Sequence, residues 1–144
     1  MLEKVAVPAL ALLIGAALPA AAQEPGDLLR SSFALWGMMD ATANFCWKQA
    51  DFQVSVMEAH QNWLARNVVI RDELDVALAA SGLPGTLAAE GETYGSTGIL
   101  EILNGAENKD EACATWRAQT DLGTYDAEVF LAAQLGVLRE RDGL

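Results

Sequence analysis

The sequence predicts an all-α fold, a small four- to five-helix bundle braced by one disulfide. Between Met38 and Ser81 the chain contains no glycine or proline and consists largely of residues with high helix propensity. Apolar residues recur there at spacings of three, four and seven, which is typical of helices with one buried face. No segment shows the strict alternation that indicates a strand, and the cysteines Cys46 and Cys113 form a single pair.

The first 22 residues predict a cleaved secretory signal peptide. Residues 5–22 form an uncharged apolar run that Pro8, Gly15 and Pro19 interrupt, and the run ends in three small alanines. An uncleaved membrane anchor is the alternative, although the run is short for a spanning helix. We therefore expect residues 1–22 to be removed, residues 23–144 to form one helical domain, and that domain to be periplasmic or secreted.

The net charge of −11, from 20 acidic and 9 basic residues, restricts the kinds of partner. Glu3 and Lys4 cancel, so the whole imbalance belongs to residues 23–144. Nucleic acid and anionic lipid require clustered Lys and Arg, which this chain lacks, so we expect no nucleic-acid partner and no membrane insertion after signal cleavage. If the protein has a protein partner, the charge favours a cationic one; a solvated acidic surface without a partner is the simpler interpretation.

A disulfide is the default expectation for one cysteine pair in an exported chain. The separation of 67 residues between Cys46 and Cys113 excludes a C-x-x-C redox motif and a haem-attachment motif. A free reactive thiol is the alternative, but no histidine lies near either cysteine in the sequence.

Two long helices are predicted first, over residues 27–47 and 51–80, with a break near residues 48–51. Gly82 and Pro84 mark the end of the second helix. The predicted buried stripe of the first helix consists of Leu29, Phe33, Trp36, Ala43 and Trp47. That of the second consists of Phe52, Val56, Ala59, Trp63, Ile70, Leu74 and Ala77.

Glycines are frequent after the second helix, and residues 82–98 are predicted to be an irregular connection. A short helix over residues 99–103 and a helical turn over residues 86–90 are expected beside it. Because long loops often carry function, residues 92–97 form a candidate contact surface, with a plain connection as the alternative.

Asn108 predicts the N-cap of a further helix that contains Cys113 and Trp116. This helix is expected to pause at residues 121–123 and to resume until about Arg141. The last segment is apolar on much of its circumference, so we expect it to be central in the bundle.

Asp40 and His60 form a candidate buried polar pair. If the first two helices are antiparallel and turn near residue 50, residues whose numbers sum to about 100 lie at equal height, which places Asp40 opposite the single histidine. A carboxylate orients a histidine in many general bases, but it also satisfies an ordinary buried histidine. Because no nucleophile motif, no H-E-x-x-H motif and no second imidazole accompany the pair, we expect no catalytic residues, no metal site and no cofactor.

The four tryptophans are the other feature that could bind a ligand. Trp47 and Trp116 are expected to pack around the disulfide. A candidate ligand pocket near His60 consists of Trp36, His60, Trp63 and Asn67, and ordinary core packing is the alternative.

We therefore expect a non-enzymatic exported protein that acts through protein–protein contact, as an accessory, chaperone-like or inhibitor-like protein. The alternative is a small-ligand-binding helical bundle with a tryptophan-lined core near His60. A small hydrolase-like enzyme is the third possibility.

Overall fold

A computed structural model describes residues 19–49, 51 and 53–142. Most of the predicted signal peptide, residues 1–18, lies outside the described residues, as do Phe52 and the last two residues. A 3₁₀ turn at Ala20–Ala22 precedes the helices, which are α1 (Pro25–Trp47), α2 (Gln53–Ser81), α3 (Leu87–Asn104), α4 (Lys109–Asp121), α5 (Ala127–Phe130) and α6 (Ala132–Asp142). No strand occurs in this part of the chain, and the predicted all-α class is confirmed.

Helix α1 is the centre of the bundle, because it is buried on nearly all sides and packs against α2, α3, α4 and α6. The small residues on its surface let the other helices approach closely. Its buried hydroxyls are satisfied locally, since Ser32 donates to the carbonyl of Leu28 and Thr42 donates to that of Met38. The expectation that the last segment is central is wrong, because only one side of α5 and α6 is buried and Val129 is exposed on the other side.

Helix α2 runs antiparallel to α1, as the sequence predicts. The rings of Trp36 and Trp63 meet edge to face with their centroids 5.4 Å apart. The part of the predicted stripe of α2 that the structure describes, from Val56 to Ala77, is buried. The helix ends at Ser81, where Gly82 adopts φ = +73° and stops it.

The glycine-rich segment is the largest correction to the sequence analysis. Residues 87–104 form one continuous helix, α3, where an irregular connection over residues 82–98 and a separate short helix over 99–103 were predicted. The glycines allow close packing of α3 on α1. Gly91 lies against the backbone of Arg30, and Gly95 lies against that of Ala34. A Cβ atom at either glycine would overlap α1, so the helix depends on the absence of side chains there.

The disulfide between Cys46 and Cys113 is confirmed and joins the end of α1 to α4. Asn108 caps α4 as predicted, because its Oδ1 atom accepts a hydrogen bond from the backbone N–H of Glu111. Trp116 is buried near this bridge. Trp47 is 40% exposed, since it is the last residue of α1, and its expected place in the core is wrong.

The chain turns after α4, and α5 then packs against α2 while α6 packs against α1. Gly123, with φ = +80°, allows the turn at the predicted pause. Arg141 in α6 donates hydrogen bonds of 2.9 Å to the carbonyls of Ala21 and Gln23, on either side of the predicted cleavage point. Within the described ranges, no helix has the length and apolar character that crossing a membrane requires.

Candidate functional site

A cleft between α2 and α3, with α1 as its floor, is the candidate site. Its volume is about 360 Å³, which is within the range of small-molecule pockets. The cleft exists because α2 and α3 both pack on α1 and scarcely contact one another. Nine residues line it: Trp36, Gly37, Asp40, His60, Leu64, Arg71, Glu92, Thr93 and Ser96.

Gly37 determines how closely α3 approaches the floor. A Cβ atom built on this glycine would overlap the backbone carbonyl of Glu92. The two helices therefore cross with their backbones in contact, and the side chains of α3 are brought near those of α2. Any larger residue at position 37 would separate α3 from α1 and change the shape of the cleft.

Arg71 closes one end of the cleft with an ion pair between α2 and α3. Its Nη1 atom lies 2.6 Å from Glu92 Oε1, and its Nε atom lies 3.3 Å from Asp75 Oδ2. The guanidinium also lies over two aromatic rings, 4.8 Å from the ring centroid of Phe33 and 5.6 Å from that of Trp36. The charge of Arg71 is thus already neutralised within the protein.

Asp40 and His60 are neighbours on facing helices, as the sum of their residue numbers predicts. The distance between His60 Nε2 and Asp40 Oδ1 is 3.9 Å, which is too long for a hydrogen bond. The side chain of His60 is 14% exposed, whereas that of Asp40 is 67% exposed. The expectation that both members are buried is therefore wrong for Asp40, because its position on α1 lies at the open side of the cleft.

His60 keeps an unsatisfied ring nitrogen beside the cleft. Its Nε2 atom is buried and has no hydrogen-bond partner within the described part of the protein. Burial lowers the pKa of His60 below 6.5, and the nearby Asp40 carboxylate offsets only part of that effect. The imidazole is consequently neutral at pH 7.

Two of the four residues in the predicted ligand pocket do not reach the cleft. Trp63 is fully buried behind Trp36, and its Nε1 atom donates to the carbonyl of Tyr125. Asn67 is buried and caps α5, because its Oδ1 atom accepts a 2.7 Å hydrogen bond from the N–H of Ala127. Only Trp36 and His60 of the predicted set line the cleft.

Part of the predicted contact surface over residues 92–97 does lie at the site. Glu92, Thr93 and Ser96 form the α3 wall of the cleft. The sequence predicts a loop at these residues, whereas they belong to a helix. Their spacing of one to four residues is the helical signal that could have grouped them on one side.

The exposed side of α2 carries an apolar surface that the sequence analysis missed. Here we call it the outer face of α2; its large apolar members are Val54, Met57, Val68, Val69 and Val76, all exposed. At 100° per residue they lie within about 60° of one direction, opposite the buried stripe. The acids Glu58 and Asp72 lie on the same face and are exposed. Leu64, in the wall of the cleft, borders this face.

The ion pairs leave the acidic excess on the surface. Four arginines, on α1, α2 and α6, are paired with carboxylates within the protein: Arg30 with Asp27 and Glu90, Arg66 with Asp126, Arg71 with Asp75 and Glu92, and Arg139 with Glu73 and Glu128. By contrast, Glu58, Asp72, Glu101 and Glu107 are exposed and form no ion pair with another described residue. Among the described residues, no group of three or more His, Cys, Asp and Glu side chains could hold a metal ion.

Comparison of the chain with known protein families, curated proteins and solved structures gives no significant match.

Proposed function

We propose that this protein acts after export by binding a cationic protein partner through the outer face of α2. The observation that carries the proposal is the exposed apolar surface of that helix, with unpaired acids within it. Large exposed apolar surfaces on a small protein are typical of interaction sites. The disulfide is compatible with an oxidising compartment outside the cytoplasm.

The outer face of α2 combines the two features of a typical protein interface. Its valines and Met57 supply apolar area that a partner would remove from water, while Glu58 and Asp72 supply charges at its surface. These carboxylates have no cation of their own to neutralise them among the described residues. A partner with apolar residues surrounded by Lys or Arg would therefore match both the apolar character and the charge of this face.

The net charge of −11 favours the same class of partner. The field of an acidic surface attracts cationic proteins and repels nucleic acids and a second copy of this chain. Such attraction increases the rate of association and weakens as salt is added, because exposed charges are screened over about 8 Å at physiological ionic strength. Binding should therefore combine a salt-sensitive component with an apolar component.

A small-ligand-binding protein is the second candidate function, and the cleft is the observation that favours it. Its volume suits a small molecule. However, the side chains of Trp63 and Asn67 form hydrogen bonds with the backbone near the start of α5. Two of the four residues of the expected pocket are therefore not available to a ligand in the cleft. A hydrolase-like activity lacks support, because no nucleophile and base with hydrogen-bond contact are found among the described residues that line the cleft.

The test is affinity capture from an extracytoplasmic extract with the purified protein and two matched variants. Val68→Lys places a positive charge on the outer face of α2. Ile102→Lys makes the same change in charge at another exposed apolar position, on the side of α3 opposite Thr93 and therefore away from the cleft. Each capture is performed at low and high salt.

We expect a basic protein that the wild type and Ile102→Lys retain at low salt, and that Val68→Lys does not retain. High salt should release much of it. Retention of the same proteins by all three baits would contradict the proposal, as would the absence of any retained basic protein. Circular dichroism of both variants checks that the substitutions at exposed positions leave the helices intact.

A further inference from the structure

The cleft beside the outer face of α2 is lined by charged and polar side chains that take no part in the proposed apolar contact. We propose that it binds the ammonium group of a lysine side chain that the cationic partner inserts between Asp40 and His60. The identity of the donor as a partner protein rests on the function proposed above.

The cleft has an excess of negative charge available to a ligand. Arg71 is the one cation among its lining residues within the described chain, and Glu92, Asp75 and two aromatic rings already occupy its guanidinium. Asp40 faces only a neutral histidine at 3.9 Å. Because a concave site concentrates the field of its charges, a cation gains more at Asp40 than at an isolated surface carboxylate.

Asp40 and His60 present two hydrogen-bond acceptors to one donor group. A nitrogen placed between Asp40 Oδ1 and His60 Nε2 can lie within hydrogen-bond distance of both atoms, because they are 3.9 Å apart. In the tautomer that carries its proton on Nδ1, the neutral imidazole offers a lone pair at Nε2. The exposed side chain of Asp40 is free to rotate outward and admit the donor to this otherwise buried atom.

The geometry favours an ammonium over a guanidinium. Lysine carries a compact charge with three donors that can point in different directions, whereas arginine requires a planar pair of acceptors. The carboxylate oxygen and the ring nitrogen belong to different side chains on different helices, so they are not the two oxygens of one planar carboxylate that a guanidinium fork matches best. Lysine therefore matches this site better than arginine.

The remaining walls suit the aliphatic stem of a lysine. Trp36 and Leu64 line the cleft as apolar surfaces, and Gly37 leaves the floor without a side chain. Long cationic side chains commonly lay their methylene groups on such surfaces while the charged end is bound elsewhere. Leu64 also borders the outer face of α2, so a partner resting on that face lies beside the cleft.

The experiment uses n-butylammonium chloride as the probe, because it reproduces the end of a lysine side chain without any partner protein. The purified full chain is titrated at constant ionic strength while NMR follows the imidazole of His60 and the indole of Trp36. 1-Butanol is the uncharged control probe. The variants are Asp40→Asn and Glu107→Gln, which remove the same charge from two exposed positions.

We expect saturable shifts of both rings with n-butylammonium. Asp40→Asn should weaken this binding about tenfold, since a hydrogen bond to a charged group is lost, while Glu107→Gln should change it less than about twofold. The inference is wrong if no shift saturates, if 1-butanol produces equal shifts, or if the two variants weaken binding equally. No partner protein is present in this titration, so none of these results tests the contact through the outer face of α2. The capture experiment tests that contact separately.

Discussion

Substitution of Gly95 by alanine tests the close packing of α3 on α1. A Cβ atom at this position would lie 2.8 Å from the carbonyl carbon of Ala34 and 2.9 Å from its Cα atom. These neighbours are backbone atoms of the central helix, which cannot move aside as a flexible side chain can. The two helices would have to separate by about 1 Å, and a gap of that size loses a quarter to a half of the dispersion energy of each contact.

The expected cost follows from two opposing effects. Overpacking of a well-packed interior destabilises by about 1–3 kcal/mol, and contact with backbone at Gly95 places this variant at the upper end of that range. Alanine recovers about 1 kcal/mol because its helix propensity exceeds that of glycine. We therefore expect a net loss of about 2 kcal/mol in the free energy of unfolding, or a decrease in Tm of roughly 8 °C.

Chemical and thermal unfolding measure this change, and Gly136→Ala is the matched control. Gly136 lies within α6, and a Cβ atom there would meet nothing within 4 Å. The control should gain about 0.5–1 kcal/mol from helix propensity alone. If Gly95→Ala were as stabilising as Gly136→Ala, α3 would not lie against the backbone of α1, and the account of the glycine-rich segment would be refuted.

Three further predictions concern the disulfide, the cap of α5 and the histidine. Replacing both Cys46 and Cys113 by serine should lower the free energy of unfolding by about 4 kcal/mol, because the bridge closes a 67-residue loop of the unfolded chain; denaturant titration measures the change. Asn67→Ala should cost about 2 kcal/mol by the same assay, since it leaves the buried N–H at the start of α5 without an acceptor. His60 should titrate below 6.5 by NMR, and lower still in Asp40→Asn; a midpoint at or above 6.5 would contradict its burial. A lowered pKa means that His60 binds a proton more tightly in the unfolded chain than in the folded protein. The free energy of unfolding is therefore unaffected by His60 above pH 6.5, and it decreases as the pH falls from 6.5 toward the pKa of the folded state.

The sequence predicted the helices that have a regular apolar stripe. The α1–α2 hairpin followed from helix period and the position of its turn, and the same arithmetic placed Trp36 beside Trp63 and Asp40 beside His60. These predictions depend on local geometry, which a single sequence records well.

The failed predictions depend on contacts between distant segments. Gly91 and Gly95 indicated a loop because glycine has low helix propensity, but packing against α1 compensates for that cost. The role of Asn67 depends on an N–H group 60 residues away, which no local pattern reveals. The outer face of α2 could have been found from the helix period, but an apolar residue in a helix is ordinarily interpreted as core.

The central claim is that the outer face of α2 binds a cationic protein, and calorimetry with the captured partner over a series of salt concentrations tests it most directly. The wild type is compared with Glu58→Gln/Asp72→Asn and with Glu101→Gln/Glu107→Gln, which remove equal charge from different exposed surfaces. We predict that affinity falls as salt rises, that the first double variant binds about tenfold more weakly, and that the second changes affinity less than about threefold. Equal losses in the two double variants, or an affinity independent of salt, would contradict the claim.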